Sequence, residues 1–239
     1  MKYLELTFAD GPRNLACDEL LLMLCEAGAA DEILRLWEPR EYFVVLGHSN
    51  RIRVEINIAA CTAESVPILR RSSGGGAVLQ GPGCLNYSLL LRNTRRGAFG
   101  DIAQSFKRVL EPHRRLLSRM LSRHVEIQGI SDLTLAGRKF SGNSQHRKPA
   151  YTLFHGTFLI GLDFSLMEKC LRIPSRRPDY RCSRPHSEFL THLPIEPARL
   201  RERLRHEWGA DEEFGSLPAN ELDLLVRERY ERPEWNLKF

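Results

Sequence analysis

No stretch of this 239-residue chain is long and apolar enough to cross a bilayer, and its opening MKYLELTFADGPRNLACDELLL lacks a basic segment leading into an apolar one. A soluble, cytoplasmic protein with no membrane partner is the expectation. Cysteine is sparse: Cys17, Cys25, Cys61, Cys84, Cys170 and Cys182 form no C-x-x-C pair and stand at no metal-type spacing from histidine. That pattern predicts reduced thiols and no protein metal site. Neither G-x-x-x-x-G-K-S/T nor G-x-G-x-x-G opening a helix is present, which excludes a P-loop and a dinucleotide fold. There is no internal repeat and no low-complexity linker. The basic excess is small, 35 Lys and Arg against 30 Asp and Glu for a net charge of +5. Such a balance favours anionic partners and does not point to nucleic acid.

What is present is enough apolar residue, 42%, to bury one substantial core. LACDELLLMLCEAG, from Leu15 to Gly28, repeats apolar residues at helical spacing and closes on glycine, predicting an amphipathic helix. EILRLWEP and YFVVLGHS are short β-branched and aromatic runs separated by Pro39, predicting paired strands or a strand and turn. VPILRRSSGGGAVLQGPGCLNYSLLL predicts three strands separated by a glycine turn and a Gly-Pro-Gly turn. Asp101 to Leu121 is helical in pattern with Pro112 inside, predicting a kink or break near Glu111. Two strands around Gly137, a further strand through YTLFHGTFLIGLD, and helices over Arg199–Trp208 and Asn220–Tyr230 with Asn220 as N-cap complete the pattern. The fold class is α/β (α+β): a central mixed, largely antiparallel sheet flanked by helices.

Three stretches carry chemistry. In RRSSGGGAV, Gly74, Gly75 and Gly76 follow Arg70, Arg71 and Ser73, so backbone N–H groups and two guanidinium groups can converge on an anionic or carboxyl-bearing ligand. A tight hairpin with its arginines in solvent fits the same residues. In GRKFSGNSQ, Lys139 stands between a turn glycine and small polar residues, where its ammonium would stabilise charge on a carboxyl or phosphate oxygen. Ser141, Asn143 and Gln145 alternate and so share one face of a strand. An exposed basic turn is the plain alternative. In FHGT, His155 precedes Gly156 within an apolar strand, as either a satisfied core histidine or a site residue.

RRSSGGGAV, GRKFSGNSQ and HGTFLI, in that order, resemble the lipoate-protein ligase family within the wider biotin/lipoate ligase and octanoyltransferase superfamily. NLACDELLL, ILRLWEP, VVLGHSN and ERYERPEWN extend the resemblance over nearly the whole chain. It implies a single catalytic domain over residues 1–239, similar to the cores of biotin ligase and class II aminoacyl-tRNA synthetases, without the small C-terminal accessory domain that many such ligases carry. It further implies that lipoate or octanoate is activated with ATP and Mg2+ to an acyl-adenylate and passed to a lysine of an apo lipoyl carrier domain, with a separate accessory subunit as a further partner. By that resemblance Lys139 is the catalytic lysine. Arg70, Arg71, Ser73, Gly74, Gly75, Gly76 and Ala77 line the acyl-adenylate, with Gly142 and Asn143 beside the lysine and His155 and Gly156 bordering the acyl tunnel. Where the better-known ligases have a His-Asp pair after GGGAV, this chain reads LQGPG.

The main rival is an octanoyltransferase working through a cysteine thioester, for which Cys182 in the basic segment DYRCSRPHS is the candidate nucleophile. Arg181 and Arg184 beside it are then either thiol-activating or a docking surface for an acidic carrier. A non-catalytic lipoyl-binding module is the third reading.

Overall fold

The structure, a computed structural model, describes residues 1–93, 101–174 and 177–239. In chain order the elements are β1 (Lys2–Glu5), α1 (Gly11–Glu26), β2 (Ile33–Trp37), β3 (Phe43–Leu46), α2 (Ile52–Glu55), α3 (Ile58–Ala63), β4 (Ile68–Arg70), β5 (Val78–Gln80) and β6 (Cys84–Arg92). Next come α4 (Ile102–Leu121), β7 (Val125–Gln128), β8 (Asp132–Leu135), β9 (Arg138–Arg147), β10 (Tyr151–Leu159) and α5 (Phe164–Cys170). The last are α6 (His186–Phe189), α7 (Pro197–Glu207), β11 (Glu212–Glu213), α8 (Ala219–Leu225) and α9 (Pro233–Asn236).

Eight strands form one mixed sheet in the order β11-β1-β2-β6-β10-β9-β8-β7, antiparallel except where β1 pairs with β11 and β2. This is the expected fold class. The central strands β6 and β10 read as nearly continuous apolar runs because both faces of the sheet are covered. One face packs Tyr87, Leu89, Phe154 and Phe158 against Val109 and Leu110 of α4 and Leu200 and Leu204 of α7. The other packs Ile33, Leu90 and Leu153 against Leu20 and Leu21 of α1 and Leu222 of α8. A second sheet, β4-β3-β5, packs with α3 and α5 around Val44, Cys84 and Cys170.

Four local expectations are corrected. β2 and β3 do not pair with each other; β2 joins the large sheet and β3 the small one, with β4 and β5 on either side of it. Pro112 does not break α4, which runs on for 20 residues. Proline removes one backbone donor there, and the buried stripe Phe106, Val109, Leu110, Leu116 and Leu117 outweighs that loss. Asn220 lies inside α8, whose preceding residue is Pro218 with no side-chain cap, and the helix passes at Val226 into a wider turn through Tyr230. The first helix begins earlier than its apolar pattern, at Gly11, because Asp10 caps it through Arg13 N at 2.7 Å.

Candidate active site

The site is built on the α1-facing side of the large sheet, and strand register decides which residues reach it. Arg35, Ser88, His155 and Ser144 stand opposite one another across β2, β6, β10 and β9. The neighbouring row is Asn86, Thr157, Gly142 and Asp132. Because successive residues alternate faces, these rows share one side of the sheet.

Lys139 enters this side through an irregularity between β8 and β9. Its Nζ pairs with Asp132 Oδ1 at 2.8 Å, and its side chain is 25% exposed. A Cβ on Gly142 would stand 2.7 Å from that Nζ, so a side chain there would displace the ammonium from its position. Asp132 Oδ2 accepts a hydrogen bond from the Tyr180 hydroxyl at 2.7 Å. Burial and the neighbouring Asp132 carboxylate hold that phenol protonated.

The glycine turn lies over the same face. Gly75 has φ +90°, a conformation that favours glycine. The Gly74 carbonyl accepts from Arg71 and from Ser144 Oγ at 2.8 Å, and the Gly76 carbonyl accepts from Arg71 Nη2 at 3.0 Å. Among the described residues, no acceptor meets the N–H groups of Gly74, Gly75 and Gly76, and all three glycines are exposed. With the Gly74 and Gly76 carbonyls tied back, the turn leaves its N–H groups as donors available to an anion.

The two arginines support this turn from behind, contrary to the expectation that both face the ligand. Arg70 is fully buried, and its guanidinium donates to the carbonyls of Gly47, His48, Asn50, Trp235 and Lys238. Those bonds occupy its donors and tie the glycine strand to the C-terminal segment. Arg71 donates to Ser73 Oγ, Gly74, Gly76 and Val45; burial lowers it to about 10, so it stays charged at neutral pH. Ala77 packs against the small-sheet core.

Gly142 and His155 therefore lie at the site, whereas Asn143 and Gly156 point to the other face. Asn143 accepts from the Tyr87 hydroxyl at 2.5 Å and donates to the Ser131 carbonyl at 2.6 Å. A Cβ on Gly156 would collide with that amide. The row facing the turn is Gly142, Ser144 and His146, while Gln145 takes a bond from Ser105 of α4. His155 Nε2 lies 2.6 Å from Ser73 Oγ, and its Nδ1 lies 3.3 Å from Asp18 Oδ2.

Cys182 is exposed in a left-handed turn, its thiol directed to the Asp179 carbonyl at 3.4 Å. Arg181 and Arg184 form no open basic patch. Arg181 is buried against the Phe189 ring and donates to the Arg184 carbonyl; Arg184 returns bonds to Gly137, Tyr180 and Arg181 carbonyls. The other five cysteines are buried, and burial pushes Cys17 up to about 11 and Cys25, Cys61 and Cys84 up to about 12. Among the described residues no group of three His, Cys, Asp or Glu is placed to hold a metal ion, and no helix is long and apolar enough to cross a membrane.

Asp18, Arg35, Asp132, Ser144 and Tyr180 are site residues that motif reading passed over. A signal for two of them is present: Asp18 and Arg35 each interrupt an otherwise apolar run.

The Lys139 ammonium and a glycine turn whose N–H groups meet no acceptor among the described residues lie on the same side of the large sheet, over a row of polar side chains. Residues 10–192 match the lipoyl protein ligase A/B catalytic domain, and the chain belongs to that family. It is similar to a probable lipoate-protein ligase A of Mycoplasma pneumoniae, with 26% identity over 160 residues covering 67% of this chain and 45% of that protein. It is also similar to octanoyltransferase LipM of Kyrpidia tusciae, with 25% identity over 260 residues covering 94% of each. The chain thus spans under half of that ligase and nearly all of that transferase. Its fold matches a lipoate-protein ligase A solved with bound ATP, at TM-score 0.79 and 20% identity over 99% of this chain and 98% of the other. The bi-partite lipoate protein ligase from Thermoplasma acidophilum, described with its E2 lipoyl domain, matches at TM-score 0.79 and 20% identity over 99% and 95%.

Proposed function

We propose that the chain is a lipoate-protein ligase-type enzyme: it activates lipoate or octanoate with ATP and passes the acyl group to a lysine of a lipoyl carrier domain. The observation that carries this reading is the composition of the site. Lys139 and the free N–H groups of the glycine turn are positioned for charge stabilisation, while no cysteine thiol makes a hydrogen bond to Lys139, Asp132, Ser73 or His155 among the described residues. Four of the six thiols are also held protonated by burial at about 11 or 12, which suits packing rather than attack.

ATP, when bound, supplies the leaving group that makes a carboxylate an acyl donor. The chain's own residues then bind and orient. Lys139 moves from Asp132 toward the acyl-phosphate oxygens, and the N–H groups of Gly74, Gly75 and Gly76 receive the oxyanion that forms when the carrier amine attacks. Mg2+ would arrive on the nucleotide phosphates, and Asp132, the carboxylate beside Lys139, would supply it a protein oxygen, since magnesium is commonly held by one or two carboxylates plus substrate phosphate.

The length match to LipM favours a second reading, octanoyl transfer through a thioester. Incubation with lipoate, ATP, Mg2+ and an apo lipoyl domain, in parallel with an octanoyl-acyl carrier protein and no ATP, separates them by intact mass of both proteins. ATP-dependent carrier acylation is the expected result. Transfer from the octanoyl thioester alone, with an acylated enzyme intermediate, would overturn the ligase reading.

A further inference from the structure

Arg35, Asp18, His155 and Ser73 form one hydrogen-bonded line running from the buried floor of the sheet to the glycine turn. Arg35 Nη1 donates to Asp18 Oδ1 at 2.6 Å, and Ser88 Oγ donates to Asp18 Oδ2 at 2.7 Å. Burial alone would raise the Asp18 carboxyl, yet Arg35 and the bonds from His155 and Ser88 hold it below the usual carboxylate range, so it is ionised.

The direction of each proton follows. An ionised carboxylate only accepts, so His155 donates through Nδ1. With neutral His155 the proton is then on Nδ1 and Nε2 is an acceptor, so Ser73 Oγ accepts from Arg71 Nε at 3.0 Å and directs its own proton to His155 Nε2. Ser73 is 1% exposed, which disqualifies it as a nucleophile but suits it as an anchor.

We infer that His155 is a positioning residue for acyl transfer: oriented by Asp18 and acting through Ser73, it holds the entrance of the glycine turn so that its N–H groups face the acyl donor. The inference rests on the acyl-transfer reading above. Arg71 and Ser144 restrain the Gly74 carbonyl and Arg71 the Gly76 carbonyl, whereas the Ser73 side chain is tied to the large sheet through His155. A buried line of hydrogen-bonded side chains is stiff, and breaking the link at Ser73 leaves that hydroxyl without its partner in a low-dielectric interior.

Two substitutions divide the line at different links. His155→Gln retains an acceptor where Nε2 meets Ser73 and loses the Asp18 contact; His155→Asn retains the Asp18 contact and loses Ser73. The expected result is a rise in KM for the acyl donor of at least about tenfold in His155→Asn with the native circular dichroism spectrum retained, and of under about threefold in His155→Gln. Ser73→Ala should match His155→Asn. Nitrogen-15 NMR on the unliganded protein should show the Nδ1–H tautomer, with the amide resonances of Gly74 to Gly76 shifted in His155→Asn and retained in His155→Gln. Those spectra need no acyl donor, so they decide the inference even if the ligase assay fails. An Nε2–H tautomer, unshifted glycine amides in His155→Asn, or greater damage in His155→Gln would overturn it.

Discussion

Lys139 Nζ lies 2.8 Å from Asp132 Oδ1, so the ammonium proposed for catalysis is already paired within the fold. On the proposed reading an incoming acyl-phosphate competes with that carboxylate, and Asp132 would keep a second partner in the Tyr180 hydroxyl. The pair holds Lys139 in place before substrate arrives without ordering cost at the moment of binding.

Lys139→Ala is expected to reduce acyl transfer by at least about a hundredfold while leaving the fold intact. The side chain is partly exposed, and Asp132 retains Tyr180 as a partner. Intact-mass assays of carrier acylation, with circular dichroism for the fold, check both halves. Wild-type transfer at saturating substrates would remove Lys139 from the mechanism.

Arg70→Ala should act on stability before activity. Five carbonyls lose a charged donor, with Gly47 and Asn50 within reach of one nitrogen at 2.8 and 2.9 Å. A loss of about 3 kcal/mol or more in urea unfolding is expected. A raised KM for the acyl donor with an unchanged urea midpoint would instead place the guanidinium against ligand.

The contrast between Arg70 and Lys139 shows what was legible in the sequence. Motif order located the glycine turn, the lysine and the histidine, because three motifs in one order are far more specific than any one of them, each of which has a plain structural alternative. Direction was not legible. Arg70 and Arg71 look alike in RRSSGGG, yet whether a guanidinium faces a ligand or five carbonyls depends on residues 165 to 168 positions away, such as Trp235 and Lys238. The face of β9 was misread for a similar reason: alternation fixes that Ser141, Asn143 and Gln145 share a side, but only pairing with β10 shows which side meets the turn. The α/β class was legible from periodicity, whereas the separation of β2 and β3 into two sheets is a long-range outcome.

His113 supplies a stability test independent of the site. Burial lowers it to about 3, and its Nε2 accepts from Trp208 Nε1 at 2.9 Å within the α4 core. The folded value lies below the unfolded one of about 6.5, so the unfolded chain takes the proton first as pH falls. Its contribution is complete above about pH 6.5 and declines toward pH 3, by about 2 kcal/mol between pH 6.5 and 5. Urea unfolding at pH 7.5 and 5.0 should show that loss in the wild type and a smaller one in His113→Gln, which keeps an acceptor for Trp208. Equal pH dependence in the two proteins would contradict the assignment.

Cys182 separates the two acyl-transfer chemistries. Its thiol points to the Asp179 carbonyl in a turn that Arg181 and Arg184 brace through backbone bonds, and Tyr180 of the same turn holds Asp132. The turn thus contacts the lysine site through Tyr180 rather than through sulfur. If an adenylate carries the activated acyl group, Cys182→Ser should change ATP-dependent transfer by less than about twofold, because sulfur takes no part in bond making. If a thioester carries it, the same substitution should abolish transfer from octanoyl-acyl carrier protein, and the wild-type enzyme should gain the mass of one acyl group during turnover. Tyr180→Phe is the companion variant: it removes the hydroxyl from Asp132 and leaves the ring on Phe189, so it should impair transfer even where Cys182→Ser does not. Loss of ATP-dependent transfer in a folded Cys182→Ser protein, with Tyr180→Phe unimpaired, would transfer the chemistry from the lysine side of the turn to the sulfur.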